Sequence, residues 1–589
     1  MTKTVKAICV LIGALCVLNS IMPQINKASR VSAEDREIKA VWAATVFSLD
    51  YPGSAGEDSA RLRADADRIL EETRALGYNT LFFQVRPSAD AFYKSEIFPW
   101  SAYLTGEQGK APADGFDPLK YLVSKAHGMG IEVHAWINPY RVTASEKDND
   151  LQSQSSIAVK YPELVVKHSD GKLYLNPGEP QSNRLIADGA AELVKNYAVD
   201  GIHLDDYFYP GSDFPDAETF TKYGGAFGNI EDWRRDNITN LIREIRTAVK
   251  GVRESVIFSV SPCGIWANKA SNPEGSDTSG RQAYYDYYAD TRLWAKENLV
   301  DWLVPQVYWN IGYGIADFEK IVKWWDAQLD GTKTKLVIGQ AAYRAADETD
   351  PTSAWYGQNG MDELKRQAAL MKTCRNVGGY AHYRLGSITK NGVLTEFIKN
   401  LNKHSSSAFI DTMDYPWAAD AIENLYSKQI VNGMGDGSFG CARNVSRADF
   451  TLMLTRMLGK QAEFTENFAD VSADKYYYKE IGVAKALGYT NGRDGKTFDP
   501  ESNITREDMA TLAYRVLLKE GKISPADTSE LSAKFSDAYA ISDYAKEAIA
   551  AMTAKAYLGG YENGEFRPKG LATRAETAVF LNRILTSQQ

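Results

Sequence analysis

Short apolar runs alternate with amphipathic stretches along the first two thirds of the chain. Eight runs have the length and composition of buried strands, and they span residues 39–46, 79–86, 132–140, 201–207, 256–265, 301–309, 335–341 and 379–385. Eight strands joined by eight crossovers predict a closed parallel barrel, the α/β fold known as a (β/α)8 or TIM-type barrel.

The helix pattern agrees with that fold. The first predicted helix has one apolar face, formed by Leu62, Ala66, Ile69, Leu70, Thr73 and Leu76. Gly77 follows where a C-terminal cap belongs. The next helix is predicted to begin with Asp117 as N-cap and Pro118 at its first position, and to end at Gly130. The barrel domain is therefore predicted over residues 34–403.

The pattern changes beyond the barrel. Residues 404–407 contain three consecutive serines and predict a short flexible linker. Three copies of one unit follow at residues 408–463, 464–525 and 530–589, which predicts a mainly helical repeat module. The copies open with Asp411, Asp470 and Asp537, and each later starts a helix with a Ser/Thr-Arg-x-acid element: Ser446–Asp449, Thr505–Asp508 and Thr573–Glu576.

These copies resemble the surface-layer homology repeat, which implies a module that binds a pyruvylated secondary polysaccharide of the bacterial cell wall. A Ser or Thr N-cap would leave the first-turn amides for an anion, and the adjacent arginine would bind a carboxylate. The expected polymer-binding residues are Arg447, Arg506 and Arg574. Alternatively, each arginine only pairs with a neighbouring acid. The first copy departs most from the pattern and is expected to bind weakest.

The N-terminus has the organisation of a secretory signal. Lys3 and Lys6 precede an apolar run at residues 7–18, and small residues precede Glu34. We predict a signal peptide at residues 1–33, which is too short for a secure membrane span, and hence a secreted protein attached to the cell wall.

Charge and cysteine content exclude other classes. Loss of the four cations of the predicted signal changes the net charge from −9 to −13, which disfavours nucleic acid as a partner. The remaining cysteines, Cys263, Cys374 and Cys441, are widely separated and predict neither a disulfide framework nor a metal site. No cofactor is predicted.

The fourth predicted strand ends in two adjacent acids, Asp205 and Asp206, followed by Tyr207. Adjacent carboxyl groups compete for one proton, and glycosidic cleavage requires one acid and one base on the same substrate. Alternatively, one of them caps the next helix or both hold a structural cation. Because side chains alternate along a strand, both acids reach one cleft only if the strand has begun to turn.

The other strand ends are also rich in polar and aromatic residues, as a cleft at the carboxyl end of a barrel requires. The expected substrate contacts are Arg86, Asn138, Tyr140, Arg141, His203, Tyr207, Trp266, Gln306, Tyr308, Trp309 and Asn310. For any single aromatic residue in this set, packing in the core is an equal alternative.

Six segments of the barrel match a known family pattern: Val41–Thr45, Gln84–Pro87, Trp136–Arg141, Asp200–Pro210, Ser261–Trp266 and Pro305–Trp309. On these segments the barrel resembles the bacterial glycosyl-hydrolase-like family ten over nearly its full length. That family includes hydrolases of peptidoglycan strands that have lost their stem peptides. The resemblance therefore implies a barrel that cleaves glycan.

Neighbouring aspartates at the fourth strand also resemble the arrangement in hexosaminidases that use the substrate's own acetamido group as nucleophile. In that scheme Asp205 orients the acetamido nitrogen, and Asp206 protonates the leaving oxygen and then activates water. Tyr207, Tyr308 or Asn310 would hold the acetamido oxygen.

Two further sets of residues complete the expected site. Trp136, Trp266 and Trp309 would stack on sugar faces. Arg86 and Arg141 would meet the lactyl carboxylate of muramic acid, or alternatively only fix the aspartates.

The favoured hypothesis is a secreted, wall-attached glycoside hydrolase that acts on peptide-free peptidoglycan strands. Two alternatives remain. The barrel is a catalytically silent scaffold that binds wall glycan, or it hydrolyses a different polysaccharide.

Overall fold

The computed structural model describes residues 36–56 and 58–587. The predicted signal peptide lies outside the described residues. From Lys39 onward the chain forms one compact unit, which contains both the barrel and the repeats.

The described residues contain ten strands. They are β1 (Ile38–Ala43), β2 (Thr80–Arg86), β3 (Glu132–Ile137), β4 (Val165–Lys167), β5 (Leu173–Leu175), β6 (Gly201–Leu204), β7 (Ile257–Val260), β8 (Trp302–Leu303), β9 (Lys335–Gln340) and β10 (Val377–His382). Eight of them close into a parallel barrel in the order β1-β10-β9-β8-β7-β6-β3-β2, which confirms the predicted fold. β4 and β5 form an antiparallel hairpin between β3 and β6, and the apolar pattern does not predict these three-residue strands.

Aromatic and imidazole rings fill the barrel interior. Trp42 of β1 pairs with Phe82 of β2, and Phe82 pairs with His134 of β3. The Phe82 ring stacks on His203 of β6 with 4.0 Å between ring centroids. Trp42 Nε1 donates to His203 Nε2 at 3.1 Å. These contacts fix the interior layer directly beneath the carboxyl end of β6.

Several strands end earlier than the apolar runs that predict them. β6 ends at Leu204, β7 at Val260 and β8 at Leu303. The residues beyond remain buried, as at Ile265 and Val307, because the loops at this end pack over the barrel. Apolar composition therefore extends past the hydrogen-bonded strands, and the loops begin sooner than predicted.

Helices surround the barrel. They are α1 (Ser59–Ala75), α2 (Ala102–Thr105), α3 (Pro118–Gly128), α4 (Ile157–Lys160), α5 (Pro180–Asn196), α6 (Ala217–Tyr223), α7 (Ile230–Val252), α8 (Ala283–Asp286), α9 (Thr291–Lys296), α10 (Phe318–Gln328), α11 (Ala342–Asp347), α12 (Gln358–Lys372), α13 (Leu385–Lys390) and α14 (Gly392–His404). The predicted face of α1 is buried. Asp117 caps α3 by accepting a hydrogen bond from the amide of Lys120 at 3.0 Å, as predicted.

The repeats contribute α15 (Pro416–Ser427), α16 (Arg447–Leu458), α17 (Tyr478–Ala486), α18 (Arg506–Lys519), α19 (Leu531–Lys534), α20 (Asp543–Ala554) and α21 (Arg574–Ser587). The segments that precede α16, α18 and α21 bond to one another in a ring. The amide of Val445 donates to Ala572 O, that of Ile504 to Val445 O, and that of Ala572 to Ile504 O, at 2.9–3.1 Å. The three copies therefore close on themselves with approximate threefold symmetry.

The first aspartate of each copy has the same structural role. Asp411, Asp470 and Asp537 each accept hydrogen bonds from the backbone amides that follow the repeat's second turn, beginning with Phe439, Phe498 and Phe566 at 2.7, 2.8 and 2.7 Å. Each carboxylate thereby fixes the turn of its own repeat, which explains why an acid recurs at this position.

The segment between barrel and repeats is not the flexible linker that its serines predict. Ser405 is buried, and Lys372 of α12 donates to the backbone oxygens of Ser405 and Ser407. Lys365 of the same helix forms an ion pair with Asp414 of the first repeat. Helix α12 therefore contacts both the serine segment and the first repeat.

Candidate functional site

The two acids lie just beyond the end of β6. The strand ends at Leu204, and the amide of Phe208 donates to Asp206 O at 3.0 Å, which closes a tight turn. The strand has therefore ended before Asp205 and the chain turns over residues 206–208, so the alternation of a regular strand no longer directs the two acids to opposite faces.

Asp205 is held by donors from β3 and the loop after it. Its side chain is 3% exposed. Trp136 Nε1 donates to Asp205 Oδ2 at 3.0 Å, and Asn138 Nδ2 donates to the same oxygen. Asn138 Oδ1 in turn accepts from Gln84 Nε2 at 2.8 Å and from Arg141 Nη2 at 2.9 Å. Asn138 thus helps to fix the orientation of Asp205, and Gln84 and Arg141 in turn fix the orientation of Asn138.

Asp206 is more accessible and has different partners. It is half-buried, and the side chain of Gln306, from the loop after β8, hydrogen-bonds its carboxyl group. Gln306 is itself held by Ser261 O at 2.9 Å. Asp206 therefore faces the opening while Asp205 lies behind it.

Burial raises the pKa of both acids. The pKa of Asp205 is raised to about 7, first by desolvation and then by the neighbouring charge of Asp206. Desolvation raises the pKa of Asp206 to about 6. Arg141 lowers both pKa values, but by less than burial raises them. Between these two pKa values the pair therefore carries about one proton on its two carboxyl groups.

An aromatic wall faces the pair from the other side of the barrel. The Tyr308 ring lies 6.0 Å from Tyr343 and 6.0 Å from Tyr383, measured between centroids. Burial and then the charges of Tyr383 and Asp206 raise the pKa of Tyr308 well above its ordinary value, so its hydroxyl stays protonated. Tyr207, 55% exposed, closes the near side with Arg141 5.3 Å above its ring.

Helix α12 positions the loop after β8. The amide of Ile311 donates to Glu363 Oε1 at 2.7 Å, and Gln367 Nε2 donates to Trp309 O at 3.1 Å. Glu363 also accepts from Gln367 at 2.9 Å. Trp309 and Asn310 are half-buried in this loop, beside Tyr308.

The structure places four of the predicted substrate contacts elsewhere. His203 is fully buried in the barrel, with Trp42 and Ser259 on its two nitrogens. Tyr140 is fully buried and donates to Asn183 of α5 at 2.7 Å.

The other two lie between the barrel and its helices. Arg86 is 1% exposed, with its guanidinium 4.3 Å from the Phe98 ring and against Gly189 of α5. Trp266 is buried, stacks on Trp324 and donates to Asp290. All four therefore pack in the fold: His203 and Arg86 are buried residues of β6 and β2, and Tyr140 and Trp266 lie in buried loops after β3 and β7.

Three residues that the sequence pattern does not select belong to the site. Tyr383 lies directly after β10, and its position near the carboxyl end of the predicted run 379–385 is the available indication. Gln84 and Glu363 are buried polar residues that act on the site through other groups. Their roles depend on contacts from distant parts of the chain, which spacing in the sequence does not predict.

The described residues contain no cluster of three or more His, Cys, Asp or Glu side chains arranged for a metal ion. Among the same residues, no helix combines the length and apolar character needed to cross a bilayer.

The three repeat arginines join adjacent copies. Arg447 Nε donates to Phe498 O at 3.1 Å, Arg506 Nε to Phe566 O at 2.9 Å, and Arg574 Nε to Phe439 O at 2.9 Å. Each arginine therefore binds a turn of the next copy, and the last one binds the first. Only the η nitrogens remain for a ligand.

The η nitrogens differ among the copies. Arg506 uses both of them, on Glu576 at 3.3 Å and on Gly559 O at 3.1 Å. Arg574 Nη2 donates to Asn432 O at 2.8 Å. Within the described residues, those of Arg447 donate to no acceptor, and the acid at the position equivalent to Glu576 is Asp508, which is one methylene shorter.

The first-turn amides of the repeat helices are not free, contrary to the prediction. In α16 the amide of Arg447 donates to Ser502 O and that of Ala448 to Pro500 O, while Ser446 Oγ accepts from Asp449. α18 and α21 repeat this pattern. Closure of the threefold ring uses these donors, so the helix N-termini offer no anion site.

An open groove remains beside Arg506. Its volume is about 790 Å³, and its lining includes Trp417 of the first copy, Arg506 of the second, and Tyr561, Arg567 and Glu576 of the third. Trp417 is 57% exposed. The groove thus combines an aromatic face with both signs of charge, as polysaccharide-binding sites do.

Comparison with known proteins also divides the chain into a barrel and a repeat module. Residues 37–356 match the family described as Glycosyl hydrolase-like 10, and residues 410–451, 467–510 and 534–578 match the S-layer homology domain. S-layer homology domains imply attachment to the cell surface.

Two curated relatives match the barrel. Glycosyl hydrolase YngK of Bacillus subtilis (strain 168) is 38% identical over 389 residues, which cover 65% of this chain and 74% of the relative. Glycosyl hydrolase DigH of Escherichia coli (strain K12) is 37% identical over 370 residues, which cover 60% of this chain and 84% of the relative. The chain therefore belongs to the glycosyl hydrolase-like 10 family, and it is a glycosyl hydrolase whose barrel is followed by three S-layer homology domains.

Proposed function

We propose that the protein hydrolyses the glycan strands of peptidoglycan, in their peptide-free form, while its repeats hold it on the cell wall. The observation that carries this proposal is the pair Asp205 and Asp206, which shares about one proton and whose members have different hydrogen-bond partners. One member can be an anion while the other is an acid, on one sugar.

The roles follow from the partners. Trp136 and Asn138 both donate to Asp205, and both donations favour its carboxylate form. An acetamido N–H of the substrate would be a third donor to the same group. In the free protein the pKa of Asp205, about 7, lies above that of Asp206, about 6, so the shared proton rests first on Asp205. The third donor, supplied by the substrate, favours the carboxylate of Asp205 and moves the proton to Asp206, which faces the opening and the glycosidic oxygen.

The first step breaks the bond between the anomeric carbon and the leaving oxygen. The acetamido oxygen forms a new bond to that carbon, and the proton of Asp206 passes to the leaving oxygen. Asp205 stabilises the positive charge that develops on the acetamido nitrogen. In the second step Asp206, now a carboxylate, takes a proton from water as the water attacks the same carbon, and the bond from that carbon to the acetamido oxygen breaks, which restores the acetamido group. Two inversions leave the anomeric configuration unchanged.

The surroundings of the pair suit an N-acetylated, acidic sugar. The hydroxyls of Tyr207 and Tyr308, with their high pKa values, are donors for an acetamido oxygen. Arg141 is half-buried and fixed by Pro87 O at 2.7 Å, so it presents a preorganised cation for the lactyl carboxylate of muramic acid.

The test uses purified, peptide-free glycan strands with the full-length protein and its Asp206→Asn variant. We expect the wild type to release products that retain their anomeric configuration, and the variant to lose turnover by about a hundredfold or more while it still binds the strands. Asp213→Asn is the matched control, because Asp213 is an exposed acid of the same loop. Unchanged turnover in Asp206→Asn would remove Asp206 from the mechanism, and absence of turnover in the wild type would favour the scaffold alternative.

For the repeats, we propose that the groove beside Arg506 and the equivalent surface at Arg447 bind the secondary wall polysaccharide. The support is the exposed aromatic ring of Trp417 next to guanidinium groups. Sedimentation with purified walls tests this. We expect the protein to bind intact walls and to stay in solution with walls from which the secondary polysaccharide has been removed chemically; equal binding to both would contradict the proposal.

A further inference from the structure

The loop after β1 has an unusual backbone. Phe47 has φ 54° and ψ 23°, and the next residue, Ser48, has φ 51°. Two consecutive residues with side chains thus occupy the left-handed region, which is unfavourable for a bulky residue such as phenylalanine. A sequence under no other constraint would place glycine or asparagine at such a position.

Contacts on both sides impose this conformation. Gln84 Oε1 accepts from the amides of Thr45 at 2.8 Å and Val46 at 2.9 Å. Asp50, which follows the strained residues, accepts with Oδ2 from the amide of Ala44, which precedes them, at 2.8 Å. The loop is therefore held at both ends, and the strained residues between them are fixed.

Little of the Phe47 ring is buried, so packing does not offset its backbone strain. It is 57% exposed, and its aromatic neighbour is Tyr103, which it meets edge-on with 5.8 Å between ring centroids. A hydrogen bond also joins the Tyr103 side chain to the Phe47 backbone. Exposure and backbone strain both disfavour a large aromatic residue here, so packing does not explain it.

A chain of hydrogen bonds connects the loop after β1 to the catalytic pair. The glutamine that binds its amides, Gln84, also donates to Asn138 Oδ1 at 2.8 Å, and Asn138 donates to Asp205. Arg141, which stacks on Tyr207, also acts electrostatically on Tyr103. Because the carboxyl ends of parallel barrel strands meet at one rim, the Phe47 ring, in the loop after β1, stands on the same end of the barrel as the two acids.

We propose that Phe47, supported edge-on by Tyr103, is a stacking platform for a pyranose ring of the glycan chain beyond the ring that the aspartates bind. Sugar rings have apolar C–H faces that pack on aromatic rings, and a rigid exposed ring offers this contact at low entropic cost. The inference rests on the proposed function for its substrate class. It adds a subsite that makes the protein favour long strands over short fragments.

Binding measurements without turnover provide the test. In an Asp206→Asn background, calorimetry would compare a peptide-free octasaccharide of the wall glycan with the corresponding disaccharide. Phe47→Asn removes the ring and keeps a residue that tolerates the left-handed backbone. We expect it to weaken octasaccharide binding about three- to tenfold, and Phe47→Trp to bind like the parent. Leu49→Ala is the matched control, since Leu49 is an exposed apolar residue of the same loop.

Two outcomes would overturn the platform. One is octasaccharide binding by Phe47→Asn as tight as by the parent. The other is equal weakening in Phe47→Asn and Phe47→Trp with a lower melting temperature in both, which would indicate that the ring maintains the loop. Because the assay needs no hydrolysis, an inactive wild type would reject the proposed reaction and leave this binding test intact.

Discussion

Trp136 donates its indole N–H to Asp205 Oδ2 at 3.0 Å. A tryptophan expected to stack on sugar is thus bound edge-on to the carboxylate behind the cleft and is 5% exposed. Its hydrogen bond stabilises the anionic form of Asp205, which places this indole among the groups that decide which aspartate carries the shared proton.

Trp136→Phe removes that donor and keeps a ring. The loss raises the pKa of Asp205, so the limb of the pH profile of kcat/KM that this group governs moves to higher pH, and kcat falls about tenfold. Wild type is expected to show a bell-shaped profile with limbs near the pKa values of the pair, about 6 and about 7. Trp266→Phe is the control, because its indole donates to Asp290 outside the cleft. A Trp136→Phe profile that superimposes on that of wild type contradicts the assignment.

The buried pair makes stability depend on pH. Because burial raises both pKa values, the folded state binds protons more tightly than the unfolded chain, so the stability gained is complete below the unfolded pKa and is lost as pH rises through about 7. The double variant Asp205→Asn/Asp206→Asn should therefore melt above wild type at about pH 8 and approach it near about pH 4.

Asp213 provides the opposite sign for this measurement. Hydrogen bonds from Ser169 and His168 lower its pKa, so its contribution is present above the unfolded pKa and disappears as pH falls. Asp213→Asn should lower the melting temperature slightly at neutral pH and have no effect in acid. If Asp205→Asn/Asp206→Asn melts below wild type at every pH, the buried pair does not destabilise the folded state at high pH as predicted.

Glu363→Ala tests how α12 holds the loop after β8. The amide of Ile311 loses its acceptor, so we expect a loss of about 1–3 kcal/mol in the free energy of unfolding and a higher KM. Asp362→Ala, at an exposed neighbouring position, should change neither quantity. Urea unfolding and steady-state kinetics provide both measurements. An unchanged KM would mean that the loop keeps its position without this contact.

Arg506→Lys and Arg447→Lys form a matched pair in the repeats. Lysine cannot reproduce the three bonds of Arg506 to Phe566, Glu576 and Gly559, so Arg506→Lys should lower the unfolding free energy by about 1–3 kcal/mol. Arg447 makes one such bond, so its replacement should affect wall sedimentation more than stability. Equal losses of stability in both variants would contradict the difference between the two sites.

The site was only partly predictable from the sequence. Asp205, Asp206, Asn138 and Arg141 lie at or directly after the carboxyl ends of predicted strands and come together, because the carboxyl ends of parallel strands in a barrel meet at one rim. Tyr140 and Trp266 have equivalent positions, but the loops bend back and bury them. Residue type at a strand end therefore located the rim without determining which side chains face the opening.

The sequence by itself determined the eight-stranded barrel and the three repeats, because hydrophobic periodicity and recurrence are local properties that each segment carries. Tertiary structure alone decided that Gln84 and Glu363 hold the site and that Arg447, Arg506 and Arg574 join successive repeats in a ring. Those roles arise from contacts between segments up to 142 residues apart, as from Arg574 to Asn432. They depend on which donors and acceptors the folded chain brings together away from water. The spacing of residues along the sequence does not determine those pairings.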